Sequence, residues 1–463
     1  MERTPNILII VVDQQRYDCI GYSNDYPVRT PHVDRLAREG VWFSQAYTPI
    51  PVCGPARQSF LCGKRPESFG ALWNFDYGLP VGALDPAAYA WPRELQAAGY
   101  QTGHLGKWGV HPRYDPTHYG YDRHVGEGDY RDFVARRHPG VTAGSSYFGE
   151  RDTLPLEDAR THWMARQASG MIRDFARSDR PWHVRLDFPE PHLPCRPAGP
   201  FADMYAPQDV PEWRSFADAL ANKPYIQRQQ LLNWGVEHFS WQDWAPIVAR
   251  YYGAISQVDD AIGRVLRTLV EEGVEQDTIV VFTADHGDMC GGHRMMDKHF
   301  ILYDDVVKVP FAVKWPGHIA PGQVCDDFVY SFLDLPPTIL EWLGLHIPRE
   351  FHGRSLASLL GGTASRGPRD AVVSTYNGQQ FGLYTQRMIR TRKLKYVWNT
   401  TDMDELYDLT TDPDELVNVV HDPQYGEALK DLRRRLYEEL LDVGDGLVGN
   451  SWTRDQLLQG RKL

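Results

Sequence analysis

A chain of 463 residues is long enough for one large domain and a smaller one, and its 42 % hydrophobic and 24 % charged residues are ordinary for a globular protein. The formal net charge of −12, from 49 basic and 61 acidic residues, argues against general binding to nucleic acids or to anionic membranes. The six cysteines are scattered without a C-x-x-C pair, so they indicate neither a disulfide framework nor a zinc ribbon.

The start of the chain shows no secretory signal. The apolar run Ile7 to Val12 is far too short to span a bilayer, and no basic segment precedes a long apolar stretch. Cysteine usage also fits a reducing compartment. We therefore expect a cytoplasmic protein.

Strands and helices alternate through most of the chain. The continuous apolar run Asn6 to Val12 predicts a parallel strand buried on both faces. A helix is predicted over Thr30 to Glu39, with Thr30 as N-cap and Pro31 at its first position. The other helices are predicted at Trp91 to Ala98, Ala159 to Arg177 and Ile247 to Glu272, and the other strands at Trp182 to Phe188, Thr278 to Thr283 and Phe311 to Lys314. The alternation predicts the α/β class, with a large, doubly wound, mostly parallel sheet flanked by helices.

The pattern changes after residues 361–367, a Gly-rich candidate linker. Beyond it we predict short strands at Ala371 to Thr375, Met388 to Thr391 and Leu394 to Trp398, and an amphipathic helix over Tyr425 to Leu441. We therefore predict a large α/β domain over residues 1–365 and a smaller C-terminal α+β subdomain with an antiparallel sheet over 366–463. Residues 196–245, rich in Pro, Trp and Gln, are predicted to be irregular.

A cysteine motif is the sharpest functional signal. Residues 53–57 read C-G-P-A-R and residues 61–63 read L-C-G. This pattern resembles the C-x-P-x-R signature, with its trailing L-x-G, of the formylglycine-dependent sulfatases of the alkaline phosphatase superfamily. The alternative interpretation is structural: Cys53 is a buried thiol at a helix start and Arg57 a solvated helix arginine.

The resemblance implies a specific chemistry at Cys53. A formylglycine-generating maturation enzyme would oxidise the cysteine to an aldehyde, whose hydrate carries two hydroxyls. One hydroxyl attacks sulfur, and deprotonation of the other later expels sulfate; serine lacks that second hydroxyl. Arg57 would orient and neutralise the nucleophile.

Polar pairs follow two of the predicted strands. Asp13 and Gln14 end the first strand, and Asp285 and His286 come soon after the strand Thr278 to Thr283. Ligands bind at the carboxyl ends of strands in open α/β sheets, so we expect these side chains to meet there. Oxygen ligands suit a hard divalent cation, whereas imidazole suits transition metals better. Taken singly, each residue is also an ordinary cap or turn residue.

The resemblance extends to these pairs, since sulfatases bind calcium with acidic residues at two such strand ends. Gln14 and His286 stand where many members have Asp and Asn, and the pairs Asp-Gln and Asp-His also resemble those of phosphonate monoester hydrolases. The resemblance implies one divalent cation, calcium in first place with Mn²⁺ or Mg²⁺ as alternatives. The implied ligands are Asp13, Gln14, residue 53, Asp285 and His286.

One further segment carries basic side chains near the expected site. Residues 106–111 read G-K-W-G-V-H and resemble the sulfatase segment G-K-W-H, in which Lys and His contact sulfate and nucleophile. Lys107 matches directly, and His111 is displaced by two positions. The alternative for His111 is a loop histidine beside Pro112.

Two more segments extend the resemblance. Residues 191–194 read P-H-L-P, similar to iduronate-type sulfatases, which implies that His192 lies near the leaving group. Lys298 follows the second polar pair at the family's distance and would bind sulfate near the leaving oxygen. The alternative interpretation of His192 is a loop histidine whose position is set by the flanking prolines, and that of Lys298 is a solvated surface lysine.

Together these residues predict a sulfuric ester hydrolase that takes a small sulfated saccharide. The expected substrate is a 2-O-sulfated uronate or related sugar, cut from the non-reducing end. The alternatives are a phosphonate monoester or phosphodiester hydrolase with the same nucleophile and a non-catalytic binding protein on this fold. Lys107 favours the sulfatase, because the resemblance implies that a sulfate-binding lysine separates the two enzyme groups. The third alternative is disfavoured because nucleophile, ligands and cations occur together.

Overall fold

The computed structural model describes residues 4–75, 79–142, 144–362, 367, 369–379 and 382–462. The predicted domain boundary between residues 365 and 366 lies outside these ranges. The strands are β1 Asn6–Asp13, β2 Val41–Phe43, β3 Ala46–Tyr47, β4 Gln101–Gly106, β5 Arg123–Gly126, β6 Trp182–Pro191, β7 Thr278–Ala284, β8 Phe311–Lys314, β9 Gln323–Cys325, β10 Val329–Tyr330, β11 Ala371–Gln379, β12 Gly382–Thr391, β13 Leu394–Asn399 and β14 Glu405–Asp408. The helices are α1 Pro31–Glu39, α2 Cys53–Cys62, α3 Pro92–Ala97, α4 Glu127–Arg137, α5 Arg160–Ala176, α6 Tyr225–Trp234, α7 Trp241–Glu271, α8 Asp304–Val307, α9 Ser331–Trp342, α10 Ala357–Leu360, α11 Gly426–Asp442, α12 Gly446–Gly449 and α13 Ser451–Gln459.

A large sheet forms the centre of the molecule. Within the described residues it has eight strands in the order β5-β4-β6-β1-β7-β8-β2-β9. Neighbours from β5 to β7 are parallel, as are β2 and β9, whereas β8 is antiparallel to both of its neighbours. Every residue of β1 is buried, as its apolar sequence predicts for a strand covered on both faces. The predicted α/β class and mostly parallel sheet are confirmed.

The register of the central strands brings several side chains to one edge of the sheet. Val12 of β1 lies opposite Ala284 of β7, so the residues after them, Asp13 and Asp285, emerge side by side. On the other side of β1, Val11 lies opposite Asp187 of β6. The carboxyl ends of β1, β6 and β7 therefore meet, which is where open α/β sheets bind ligands.

The C-terminal part forms a separate antiparallel sheet in the order β11-β12-β13-β14. Helix α11 covers it with a stripe of leucines at helical spacing, Leu429, Leu432, Leu436 and Leu440. This confirms the predicted antiparallel subdomain. None of the described helices has the length and apolar character needed to cross a membrane.

The prediction that residues 196–245 are irregular is wrong in two places. Tyr225–Trp234 forms α6, and α7 begins at Trp241, six residues before the predicted start at Ile247. Ser240 and Asp243 form a capping box that fixes this start, and Pro246 inside the helix disguises it in the sequence.

Candidate active site

Cys53 lies at the start of α2 with its thiol buried and surrounded by polar groups. The Cys53 Sγ atom lies 3.1 Å from His286 Nε2, 3.4 Å from Lys298 Nζ and 3.6 Å from Asp13 Oδ1. The helix N-terminus adds a partial positive charge at the same place. A group formed at this position therefore has acidic, basic and imidazole side chains within direct reach.

Four buried residues have the composition of a metal site. Ligand atoms of Asp13, Cys53, Asp285 and His286 lie within 4.8 Å of one another, and we call these four residues the cation cluster. His286 Nδ1 lies 2.9 Å from the carbonyl oxygen of Gly287. Because a carbonyl only accepts, Nδ1 carries a proton, so Nε2, which lies beside Cys53, is the ring nitrogen that would bind a metal. Two carboxylates and one imidazole fit a divalent cation.

Gln14 joins this cluster from the loop after β1. Its Oε1 atom accepts a hydrogen bond from Lys298 Nζ at 2.7 Å, and its backbone N–H donates to Asp285 Oδ1 at 3.1 Å. Residues Asp13, Gln14, Asp285 and His286, which the sequence indicated as a ligand set, are thus brought together.

Arg57 lies beneath the cluster with its guanidinium fully buried. It donates to Asp285 Oδ2 and to Asp13 Oδ2, each at 3.0 Å, and also to Asp187 Oδ1. Burial alone would lower the pKa of Arg57, but these carboxylates, Asp285 and Asp187 foremost, raise it above its ordinary value. Its hydrogen bonds therefore go to two carboxylates of the cluster rather than to the thiol of Cys53.

Lys107 enters from the end of β4. Gly106 before it has φ 95°, and a Cβ there would lie 2.0 Å from the carbonyl oxygen of Asp187, so only glycine lets β4 approach β6 this closely. The Lys107 ammonium lies 2.6 Å from Asp13 Oδ2 with 21 % of its side chain exposed. It is thus positioned between the cluster and solvent.

The electrostatics around Cys53 favour an anion. Burial and the carboxylate of Asp13 would raise the pKa of the Cys53 thiol, yet Lys107, Lys298 and His286 hold it well below its ordinary value. A site that stabilises a buried thiolate also stabilises other negative charge at the same position.

The two predicted histidines differ in placement. His192 Nδ1 lies 2.6 Å from the carbonyl oxygen of Leu193, and its Nε2 lies 3.0 Å from Lys298 Nζ, so His192 belongs to the same constellation. His111 Nδ1 instead accepts from the backbone N–H groups of Arg113 and Tyr114. Among the described contacts of His111, none reaches the cation cluster.

Asp187 is a site residue that the sequence analysis missed. Its carboxylate is fully buried and binds Arg57 as well as Arg185, whose Nε lies 2.7 Å away. Burial would raise the pKa of Asp187, but Arg185 and Arg57 hold it well below its ordinary value. The signal available was a charged pair, Arg185 and Asp187, inside the predicted strand Trp182 to Phe188.

The chain is similar to known sulfatases. The family model for sulfatases matches residues 5–345, and a model described as N-sulphoglucosamine sulphohydrolase, C-terminal, matches residues 291–441. An arylsulfatase of Clostridium perfringens is 29 % identical over 98 % of both chains. A Delta 4,5-hexuronate-2-O-sulfatase of Bacteroides thetaiotaomicron is 26 % identical over 94 % of this chain and 86 % of its own.

A solved structure extends the similarity to the fold. The phosphonate monoester hydrolase of Agrobacterium radiobacter superimposes with a TM-score of 0.79 and 26 % identity, over 95 % of this chain and 96 % of the other. Because the family model covers well over half of the sequence, the chain belongs to the sulfatase family of sulfuric ester hydrolases.

Proposed function

We propose that the protein hydrolyses a sulfate ester of a sugar, with a formylglycine made from Cys53 as nucleophile and a divalent cation in the cation cluster. The carrying observation is that the Cys53 side chain lies within 3.6 Å of a carboxylate and a lysine ammonium and 3.1 Å from an imidazole. The proposal requires a maturation enzyme that oxidises this cysteine. The hydrated aldehyde would supply the attacking hydroxyl, and the cation would supply positive charge for the sulfate oxygens.

The basic side chains have separate tasks in this proposal. Lys298 Nζ lies 3.4 Å from Cys53 Sγ, and Lys107 Nζ lies 2.6 Å from Asp13 Oδ2. Both ammonium groups stabilise the negative charge of the sulfate and of its transition state, usually the largest contribution to catalysis. The carbonyl oxygen of Leu193 is hydrogen-bonded to Nδ1 of His192. The Nε2 atom beside Lys298 is therefore the ring nitrogen that can accept or donate a proton during the reaction. The pair of His192 and Lys298 would deliver that proton to the leaving alkoxide.

The substrate we propose is a 2-O-sulfated uronate at the non-reducing end of a short saccharide. The similarity to the hexuronate-2-O-sulfatase supports it, as does the P-H-L-P segment around His192. We expect the highest kcat/KM on a 2-O-sulfated unsaturated uronate disaccharide, measured against 6-O-sulfated glucosamine and an aryl sulfate. Internal cleavage of a long heparan chain in preference to the disaccharide would refute exo action, and preference for the glucosamine ester would refute the uronate.

A second candidate is the hydrolysis of phosphonate monoesters. The Gln14 and His286 pair and the similarity to the Agrobacterium radiobacter enzyme favour it. The ammonium of Lys107, 2.6 Å from Asp13, favours the sulfate ester in our proposal. A phenylphosphonate ester in the same assay separates the two, because a higher kcat/KM on this ester than on every sulfate ester would make it the main activity.

One divalent cation per chain is expected, with calcium in first place and Mn²⁺ or Mg²⁺ as alternatives. Asp285→Ala should lower the bound metal by roughly tenfold or more, because it removes a carboxylate of the cluster. Elemental analysis of the purified protein measures this. Asp259→Ala is the matched control, since Asp259 is also buried and also accepts from two backbone N–H groups, at the start of α1. Undiminished metal in Asp285→Ala would refute the placement.

A further inference from the structure

Gln14 is held in an unusual backbone conformation at the edge of the cation cluster. Its φ of 65° is in the left-handed region, which residues other than glycine rarely adopt. The backbone is fixed on both sides, because its N–H donates to Asp285 Oδ1 and its carbonyl accepts from the hydroxyl of Tyr251 at 2.8 Å. Backbone strain of this kind is typical of functional positions that the surrounding structure constrains.

The side chain of Gln14 is fixed as firmly as its backbone. Its Nε2 donates to Asp288 Oδ2 at 2.7 Å and to Asp297 Oδ1 at 2.8 Å. Its Oε1 accepts from Lys298 Nζ at 2.7 Å. An ammonium can only donate, so the atom facing Lys298 is the oxygen, and both amide hydrogens are used by the two carboxylates.

The two carboxylates are themselves anchored. Asp288 Oδ1 accepts from the backbone N–H of Cys290 at 2.8 Å, and Asp297 Oδ2 lies 2.8 Å from His299 Nε2. The backbone of Met289 donates to the carbonyl of Asp297, which ties the two segments together. Both side chains are buried. They form a rigid acceptor pair behind Gln14.

We propose that Asp288 and Asp297 are positioning residues that fix the amide of Gln14 so that its carbonyl oxygen faces Lys298 and the cation cluster. An amide oxygen is a ligand for a hard cation, whereas the amino group is not. A flipped amide would place its oxygen against both carboxylates and its amino group against an ammonium. The proposal rests on the proposed function in one respect, that the cluster binds a divalent cation.

Asp288→Asn tests the orientation directly. Because the N–H of Cys290 needs an acceptor, the new amide would direct its own amino group at Gln14 Nε2, so two donors would face each other. We expect affinity for Ca²⁺ or Mn²⁺ to fall by roughly 10- to 100-fold, the usual cost of losing a partner of a ligand. Chelator competition measures it without any substrate. Asp297→Asn is the second variant. Asp259→Asn is the control that should bind the cation as wild type does, because Asp259 is a buried residue of α7 that accepts from backbone N–H groups of α1.

A double substitution separates positioning from a general structural role. Gln14→Glu places a third carboxylate against Asp288 and Asp297. In that background Asp288→Asn restores a donor opposite an acceptor, so its cost in cation affinity should be at least roughly tenfold smaller than in the wild-type background, since directly bonded residues are strongly coupled. Equal costs in the two backgrounds, or wild-type affinity in both Asp288→Asn and Asp297→Asn, would overturn the proposal. If the wild-type protein binds no cation at all, the proposed function fails instead, and that result is visible before any variant is made.

Discussion

Cys53→Ala is expected to abolish sulfate-ester hydrolysis while the fold is retained. The substitution removes the sulfur atom that lies in the cation cluster and 3.4 Å from Lys298 Nζ. Loss of a nucleophile costs on the order of 10⁶-fold in kcat in a well-studied hydrolase, and a loss of at least ~10⁴-fold is expected here. Activity on an aryl sulfate and circular dichroism of the variant measure the two parts of the prediction.

Cys62 provides a matched control in the same helix. It is also buried, but burial raises the pKa of its thiol to about 12, whereas the cations around Cys53 lower that of Cys53. Cys62→Ala should therefore keep wild-type activity. Near-wild-type turnover in a folded Cys53→Ala variant would refute the assigned nucleophile.

Cys53→Ser separates attack from release. A serine retains one hydroxyl that can attack sulfur but lacks the second hydroxyl whose deprotonation would expel sulfate. We expect the variant to gain a single covalently bound sulfate on the peptide that carries residue 53 and then to stop, which intact-mass spectrometry detects. Continued turnover by this variant would show that release does not need the second hydroxyl.

The sequence was sufficient to place the parts of the site that lie on strand ends. An unbroken apolar run predicts β1, and a carboxylate directly after it must emerge at the carboxyl edge of the sheet. The same argument applies to Asp285 after β7, and the register of Val12 with Ala284 confirms that the two positions are neighbours. Local patterns suffice here because the carboxyl ends of neighbouring parallel strands lie at the same edge of the sheet.

Asp187, Asp288 and Asp297, which hold Arg57 and Gln14 in place, could not be found in this way. Arg57 contacts Asp187 across 130 positions, and Gln14 contacts Asp288 and Asp297 across more than 270. Such pairings depend on the order of strands in the sheet, which no local pattern encodes. His111 is the opposite case. The resemblance predicted it as a site residue, but its described contacts are with the backbone of Arg113 and Tyr114 and not with the cation cluster.

Arg57→Ala is expected to destabilise the folded protein strongly. The guanidinium is the shared partner of Asp13, Asp187 and Asp285, all with side chains 0 % exposed. Its removal leaves buried carboxylates facing one another, and breaking a buried ion pair from one side costs about 3–5 kcal/mol. Urea unfolding should show this loss, and cation affinity should fall with it because two carboxylates of the cluster lose their orientation.

The pH dependence of the stability loss in Arg57→Ala distinguishes the loss of an ion pair from the loss of side-chain packing. In the wild-type protein burial would raise the pKa of Asp187, but Arg185 and Arg57 depress it, so its contribution to stability is present at neutral pH and is lost only as pH falls through the folded-state pKa. Without Arg57 the buried carboxyls should take up protons more readily, so the difference in unfolding free energy between variant and wild type should shrink from about pH 7 to about pH 5. Arg387→Ala is the matched control, because Arg387 is also buried and pairs with Asp445 in the C-terminal subdomain. It should lose comparable stability yet keep cation affinity and kcat. Wild-type stability and cation affinity in Arg57→Ala would show that the three carboxylates do not depend on this arginine.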